Sequence, residues 1–293
     1  MDLRLPLAAL WLALLAAPAV ADEPLLTVEG LVSPAWVERD GGTREPLAVG
    51  TEIRQGERIV TGPGARVLLR MGEGSAVKLG TDAALTVDRF STETRGASSL
   101  WQGSFDVLRG AFRYTTALLG SVRAERDLGF KLNTLSAGIR GTDIWGKSDP
   151  ARDYIVLIEG RVTVRHAGRD AELDQPRSMF AAPKDGRAPP VTRISASELA
   201  MLSAETEILA GAGGARSGGR SRVVVITTVD ETYARDLHTR LRIAGYPAEL
   251  RTIEQEGSPL YQVHVTKLAG EREARTVAQR LRALGYMEAR PAR

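Results

Sequence analysis

The chain has no cysteine in 293 residues. This excludes disulfide support, a thiolate nucleophile, thiolate zinc or iron–sulfur ligation, and a lipid-modified cysteine behind an export signal. Histidine is nearly as scarce: His166, His238 and His264 are the three copies, and none stands in His-x-x-His or Glu-x-x-His spacing. No metal site and no cofactor is expected on that basis. Charge of neither sign dominates, with 39 Lys+Arg against 36 Asp+Glu and a formal net charge of +3. Nothing here favours a nucleic-acid partner. The apolar share of 43% suffices for two modest cores and argues against disorder, and the length suits roughly two domains.

Only one long apolar run is present, from Leu5 to Ala17 behind Arg4, and Ala19-Val20-Ala21 supplies small residues for a signal-peptidase site before Asp22. The run is shorter than the roughly twenty residues that span a bilayer, so residues 1–21 read as a secretory signal peptide. Cleavage after Ala21 and a periplasmic location are the expectation.

From Leu25 to about Val164, short alternating or β-branched runs are separated by glycine-bearing turns such as Gly62-Pro63-Gly64 and Gly72-Glu73-Gly74. Val67, Leu69 and Met71 share a face, as do Val77 and Leu79, Leu85 and Val87, and Phe130 and Leu132. Period two without helical spacing predicts an all-β sandwich or roll over residues 22–185. Ile155 to Ile158, Glu159-Gly160, then Val162 and Val164 read as a tight hairpin. Residues 186–219 read as a linker. It holds one short helix, signalled by the capping box Ser195-x-x-Glu198, which is expected to pack back on the β domain, and then a flexible Gly/Ala/Ser/Arg stretch over 211–219.

Residues 220–293 contain an internal repeat at an offset of forty: Val223 and Val225 match Val263 and Val265, Arg240-Leu241-Arg242 matches Arg280-Leu281-Arg282, and Gly245-Tyr246 matches Gly285-Tyr286. Each copy gives a strand, a helix and a second strand. The buried stripes are Ala234, Leu237, Leu241 and Ala244, then Ala274, Val277, Leu281 and Leu284, and each helix stops at a glycine. This predicts an α+β, ferredoxin-like βαββαβ domain with both helices on one sheet face. The other face is expected to stay open and to present Arg222, Val224, Ile226, Gln262, His264 and Thr266. The segment from Arg220 holds thirteen basic and nine acidic residues, a local +4, so all the net basicity sits there.

The paired helices ending in Gly-Tyr and the strand Tyr261-Gln262-Val263-His264-Val265 resemble the SPOR (sporulation-related repeat) family over about Arg220 to Arg290. That resemblance implies binding of peptidoglycan glycan strands on the open sheet face, with Arg222, Thr227, Thr228, Gln262 and His264 as the glycan-binding residues. Val224 stands where the family has glutamine, and Ile226-Thr227-Thr228 stands where it has Gly-Ser-aromatic. Residues Thr27 to His166 resemble the periplasmic domain of the FecR family, on Leu47-Ala-Val-Gly50, Ile59-Val-Thr-Gly62, Val77-Lys-Leu79 and above all Gly138-Ile-Arg-Gly-Thr-Asp-Ile-Trp145. Regulators of ferric-citrate uptake in that family carry a cytoplasmic segment and an internal membrane span that contact a sigma factor. The export signal and the lack of a later apolar run argue against that topology.

Gly141 to Ser148 satisfies the P-loop expression, but Asp149-Pro150 follows at once and forbids the helix that must receive a phosphate, so no nucleotide is expected. No carboxylate pair stands in a glycosidase-like context. Trp36, Trp101 and Trp145 read as packing residues, His238 as a surface histidine, and His264 as the histidine with a functional claim. The sequence thus predicts a non-catalytic envelope protein that binds glycan strands through its C-terminal module and an envelope protein through its β domain. The alternative is a signalling or regulatory protein acting through the β domain; a wall hydrolase is the third reading.

Overall fold

The computed structural model describes residues 26–39, 42–95, 98–117, 123–139, 141–186 and 190–292. Residues 1–21, expected to be a signal peptide, lie outside the described residues. In chain order the strands before the first helix are β1 (Leu26–Val32), β2 (Ala35–Glu38), β3 (Arg44–Pro46), β4 (Glu52–Ile53), β5 (Arg58–Thr61), β6 (Arg66–Met71), β7 (Ala76–Leu79), β8 (Ala84–Arg95), β9 (Ser98–Thr115), β10 (Arg123–Lys131), β11 (Leu135–Ile139), β12 (Asp143–Ser148), β13 (Arg152–Glu159), β14 (Val162–His166), β15 (Arg169–Leu173), β16 (Ser178–Pro183) and β17 (Thr192–Arg193). Helix α1 (Ala196–Ala204) and strand β18 (Ala215–Arg216) follow. The C-terminal module is β19 (Ser221–Thr228), α2 (Glu231–Ile243), β20 (Ala248–Gln255), β21 (Ser258–Leu268), α3 (Glu271–Ala283) and β22 (Arg290–Ala292).

The β-rich part forms two sheets around one apolar core. One runs β1-β6-β7-β9-β12-β13-β16-β17, the other β3-β2-β5-β8-β9-β10-β11-β14-β15. Strand β9 belongs to both. Its first part pairs with β8 and β10, and from Gly110 onward it pairs with β12 and β7. Gly110 sits at the corner with φ +83°, and a Cβ there would lie 2.4 Å from Ala83 Cα. Only glycine passes so close to a neighbouring backbone with that dihedral. Beside the corner, Phe130 stacks on Phe105 and Phe112 at 5.0 and 4.6 Å and meets Tyr114 at 5.6 Å, all fully buried. Each such ring contributes about 1.5–3 kcal/mol by burial alone. The period-two faces expected from the sequence are inward as read: Val67, Leu69, Met71, Val77, Leu79, Leu85, Val87, Phe130 and Leu132 are all buried.

The expected hairpin at Glu159-Gly160 does not form. Strand β13 pairs with β12 and β16, whereas β14 pairs with β11 and β15 in the other sheet. Gly160, at φ +88° and packed against Gly141 and Thr142, turns the chain from one sheet to the other instead of folding it back on itself.

Nor is the glycine-rich stretch a free tether. Helix α1 forms where the capping box predicts, with Ser195 and Glu198 capping each other, and Leu199 and Leu202 pack on Trp145, Val156 and Ile194. The chain then crosses the first sheet, pinned by Glu205 to Lys147 at 2.9 Å and by Glu207 to Lys78 at 2.6 Å and to Arg113 at 3.2 Å. Beyond it, the carboxylate of Glu273 in α3 accepts N–H bonds from Gly211, Gly213 and Gly214 at 2.6, 2.5 and 3.0 Å. Strand β18 pairs with β1 on one side and with Leu268 of β21 on the other. Glycines that read as flexible are thus held by a side chain some sixty positions away.

Candidate functional site

In the C-terminal module the strands lie in the order β22-β19-β21-β20, all neighbours antiparallel. The stripe residues Ala234, Leu237, Leu241, Ala274, Val277 and Leu281 are buried with the valines Val223, Val225, Val263 and Val265. Leu284, read as the end of the second stripe, is 58% exposed because it is the C-cap and the helix has already ended. Both helices close with the same motif: Gly245 and Gly285 take φ +83° and +97°, and the following tyrosine N–H reaches back to the carbonyls of Leu241 and Leu281 at 3.0 Å.

The face turned from the helices is where the sequence places its binding residues. Two irregularities decide which residues stand there. Val224 opposes His264 but Ile226 opposes Val263, so β19 carries one extra residue at Val225. Val225 and Ile226 therefore both face the helices, and Ile226 belongs to the core instead of the open face, as a strict alternation had it. Thr227, not Ile226, becomes the neighbour of Gln262, and Gln262 Nε2 donates to Thr227 Oγ1 at 3.2 Å. A second irregularity leaves Lys267 at φ +58°, reaching out of the module to the carbonyl of Val49 at 2.9 Å.

Four of the five predicted residues, Arg222, Thr227, Gln262 and His264, therefore share one face. Thr228 does not: it pairs with Tyr261 on the helix side, and its hydroxyl accepts the N–H of Asp230 in the turn into α2. Sequence reasoning missed Glu249, which the register sets beside His264. Its carboxylate accepts from Thr266 Oγ1 at 2.8 Å and lies 3.2 Å from His264 Nε2. The offset-forty repeat carries no signal for it, because β20 follows the matched helix and has no histidine to partner in the other copy.

The electrostatics make this face specific. Burial pushes the His264 imidazole below its ordinary value, against the pull of Glu249, so the ring is neutral at neutral pH. Nε2 faces Glu249, and Nδ1 is buried with no well-aligned partner, the backbone of Gln262 being the group nearest to serving it. Gln262 Oε1 and Arg222 Nε are likewise buried without partners. Three polar atoms without well-formed hydrogen bonds thus cluster around Val224, only 4% exposed. Buried polar groups are nearly always paired, so unpaired ones in a cluster call for a partner, water or ligand, that completes the bonding. A molecule offering both hydroxyl donors and oxygen acceptors fits that set.

The remaining predicted features have structural roles. Gly141 to Ser148 runs through strand β12, not into a helix; Lys147 pairs with Glu205, and the buried Ser148 hydroxyl accepts from Asn133 Nδ2 at 2.7 Å and Lys184 Nζ at 3.0 Å. His166 is buried, its Nδ1 2.8 Å from the Thr134 carbonyl. His238 is half-buried, not a free surface group: its Nε2 lies 3.1 Å from the Ala248 carbonyl, and burial lowers its pKa. Trp101 packs edge-on against Phe90, and Trp145 is buried. Trp36 instead joins the modules. Its indole N–H donates to Ile243 O at the end of α2 at 3.1 Å, Ala35 N–H donates to Gly245 O at 3.2 Å, and Arg44 covers the ring at 4.0 Å. Among the described residues there is no group of three or more potential metal ligands, and no helix is long and apolar enough to cross a membrane.

Residues 57–163, from the start of β5 to the start of β14, match the family model described as FecR protein. No curated protein sequence matches the chain. Two crystal structures of a candidate anti-sigma factor from Parabacteroides distasonis ATCC 8503, at 1.65 and 2.50 Å, align with it at 11% identity. The first covers 70% of this chain and 98% of the other with a TM-score of 0.37, the second 78% and 90% with a TM-score of 0.40.

Proposed function

We propose that this chain is a non-catalytic regulatory protein of the cell envelope, exported to the periplasm, whose β module passes on an envelope signal through contact with another protein. The observation that carries this reading is the FecR match over residues 57–163, which spans the strands of both sheets. The docking of the two modules adds to it, because the contacts of Trp36, Lys267 and the short strand at Ala215–Arg216 offer a physical route between them. Deletion of the gene, with transcripts compared before and after an envelope stress, is expected to alter a discrete set of genes that re-expression of the full chain restores. An unchanged transcriptome under stress sinks the regulatory reading. Export is checked by N-terminal sequencing of the protein from the periplasmic fraction, with Asp22 as the expected first residue.

A second reading concerns the C-terminal module, which we take as a SPOR-like, ferredoxin-like domain that holds peptidoglycan glycan strands. It is favoured by Arg222 Nε, Gln262 Oε1 and His264 Nδ1 on one face, polar atoms without well-formed hydrogen bonds that suit sugar hydroxyls and ring oxygens. Retention on purified sacculi, rising after amidase removal of the stem peptides, is the expected result. Gln262→Ala with His264→Ala should abolish it while circular dichroism stays native. No retention on either kind of sacculus refutes this reading and leaves the regulatory one standing.

A further inference from the structure

Between α1 and the first sheet lies a cavity of about 320 Å³. Trp145, Met179, Ile194 and Leu202 supply its apolar surface, and Met201 of α1, 66% exposed, stands at its mouth. The size is at the lower end for small-ligand sites. Trp145 is 1% exposed, yet its indole N–H has no hydrogen-bond partner. A buried indole N–H usually finds one, so a donor has been taken from water without return. The helix beside it packs through Leu199 and Leu202 alone, and none of its nine residues is fully buried. The N–H itself is sealed beneath this helix, so an acceptor entering from the cavity must displace the helix outward to meet it.

The mouth restricts the ligand's charge. Lys147 is committed to Glu205. Asp149 accepts from the backbone N–H groups of Ala151 and Arg152 and from the Tyr154 hydroxyl, Glu198 accepts from the N–H and hydroxyl of Ser195, and among the described residues neither carboxylate has a salt-bridge partner. The rim is therefore net negative and repels a carboxylate, whereas an ammonium group has no lone pair for the indole N–H. We infer that this cavity binds a small neutral molecule with an apolar chain and a carbonyl head, an amide or an ester, whose oxygen accepts from Trp145.

Ligand-observed saturation-transfer titration of the full chain with octanamide, octanoate and octylammonium tests this. Octanamide is expected to bind most tightly of the three. Trp145→Phe removes the donor without breaking an existing hydrogen bond and should weaken octanamide about three- to tenfold, the worth of one net hydrogen bond. Leu202→Trp fills the cavity from an exposed helix and should abolish binding; it serves as the second variant should the first fail to melt cooperatively. No saturation transfer to octanamide, equal binding by either charged probe, or undiminished binding by a folded Trp145→Phe or Leu202→Trp protein overturns the inference.

Discussion

Glu273 shows how much one side chain can fix. It is 8% exposed and satisfies three backbone N–H groups of the Gly211–Gly214 turn, donors that no regular ladder reaches. Removing a charged acceptor and leaving buried donors behind is costly, so Glu273→Ala is expected to lower unfolding free energy by about 3 kcal/mol in urea titration, and Glu273→Gln by less. Asp153 gives a pH signature. Fully buried, it is raised by desolvation, but bonds from Lys184, Thr134 and Ser148 outweigh this and bring its pKa below the usual carboxylate value. A depressed folded pKa means stability that is present above the unfolded value, near 3.9, and lost as pH falls through the folded one. Acid titration should therefore destabilise the wild type more steeply below about pH 4 than Asp153→Asn, whose stability is lower but flatter with pH. Neither residue could be singled out beforehand, because each acts on partners distant in sequence.

At the scale of elements, the repeat was legible because both copies keep the same spacing of apolar stripe and closing glycine, and local rules suffice for helices ended in this way. The caps make a comparison available. Gly285 has open space where a Cβ would stand, whereas a Cβ on Gly245 would fall 2.6 Å from the Trp36 ring. Gly285→Ala should cost about 1–2 kcal/mol for its positive φ, and Gly245→Ala clearly more, measured by thermal melting of both. What the sequence concealed has a common cause. Glu159-Gly160 looks like a hairpin turn locally, but which strand pairs next is decided by the other sheet. The bulge at Val225 leaves an unbroken β-branched run, Val223 to Ile226, so nothing in the residue types marks where alternation slips. Of the candidate face, Arg222, Gln262 and His264 were readable by period two, since Arg222 precedes the bulge at Val225 and Gln262 and His264 precede the irregularity at Lys267. Thr227 reached the face only through the bulge, and Glu249 only through register.

For the whole molecule, the joint between modules decides behaviour. Trp36, Lys267 and strand β18 tie the C-terminal module to the β module through backbone as well as side chains. Calorimetry is expected to show one transition for both modules. Trp36→Ala, which also strips the ring from Gly245 and leaves Ile243 O without its donor, should split that transition in two or broaden it. A wild type that melts in two separate steps contradicts the joint.

Strand β18 also sets a load path. It spans only Ala215 and Arg216, paired to Gly30 and Leu31 on one side and to Leu268 on the other. If the C-terminal module is anchored and the β module is pulled away, tension falls on these few rungs, the Glu273 clasp and the Trp36 and Lys267 contacts before it reaches the strands of either module. The joint would then part first and leave two folded bodies on a glycine-rich leash, an extension gained without unfolding.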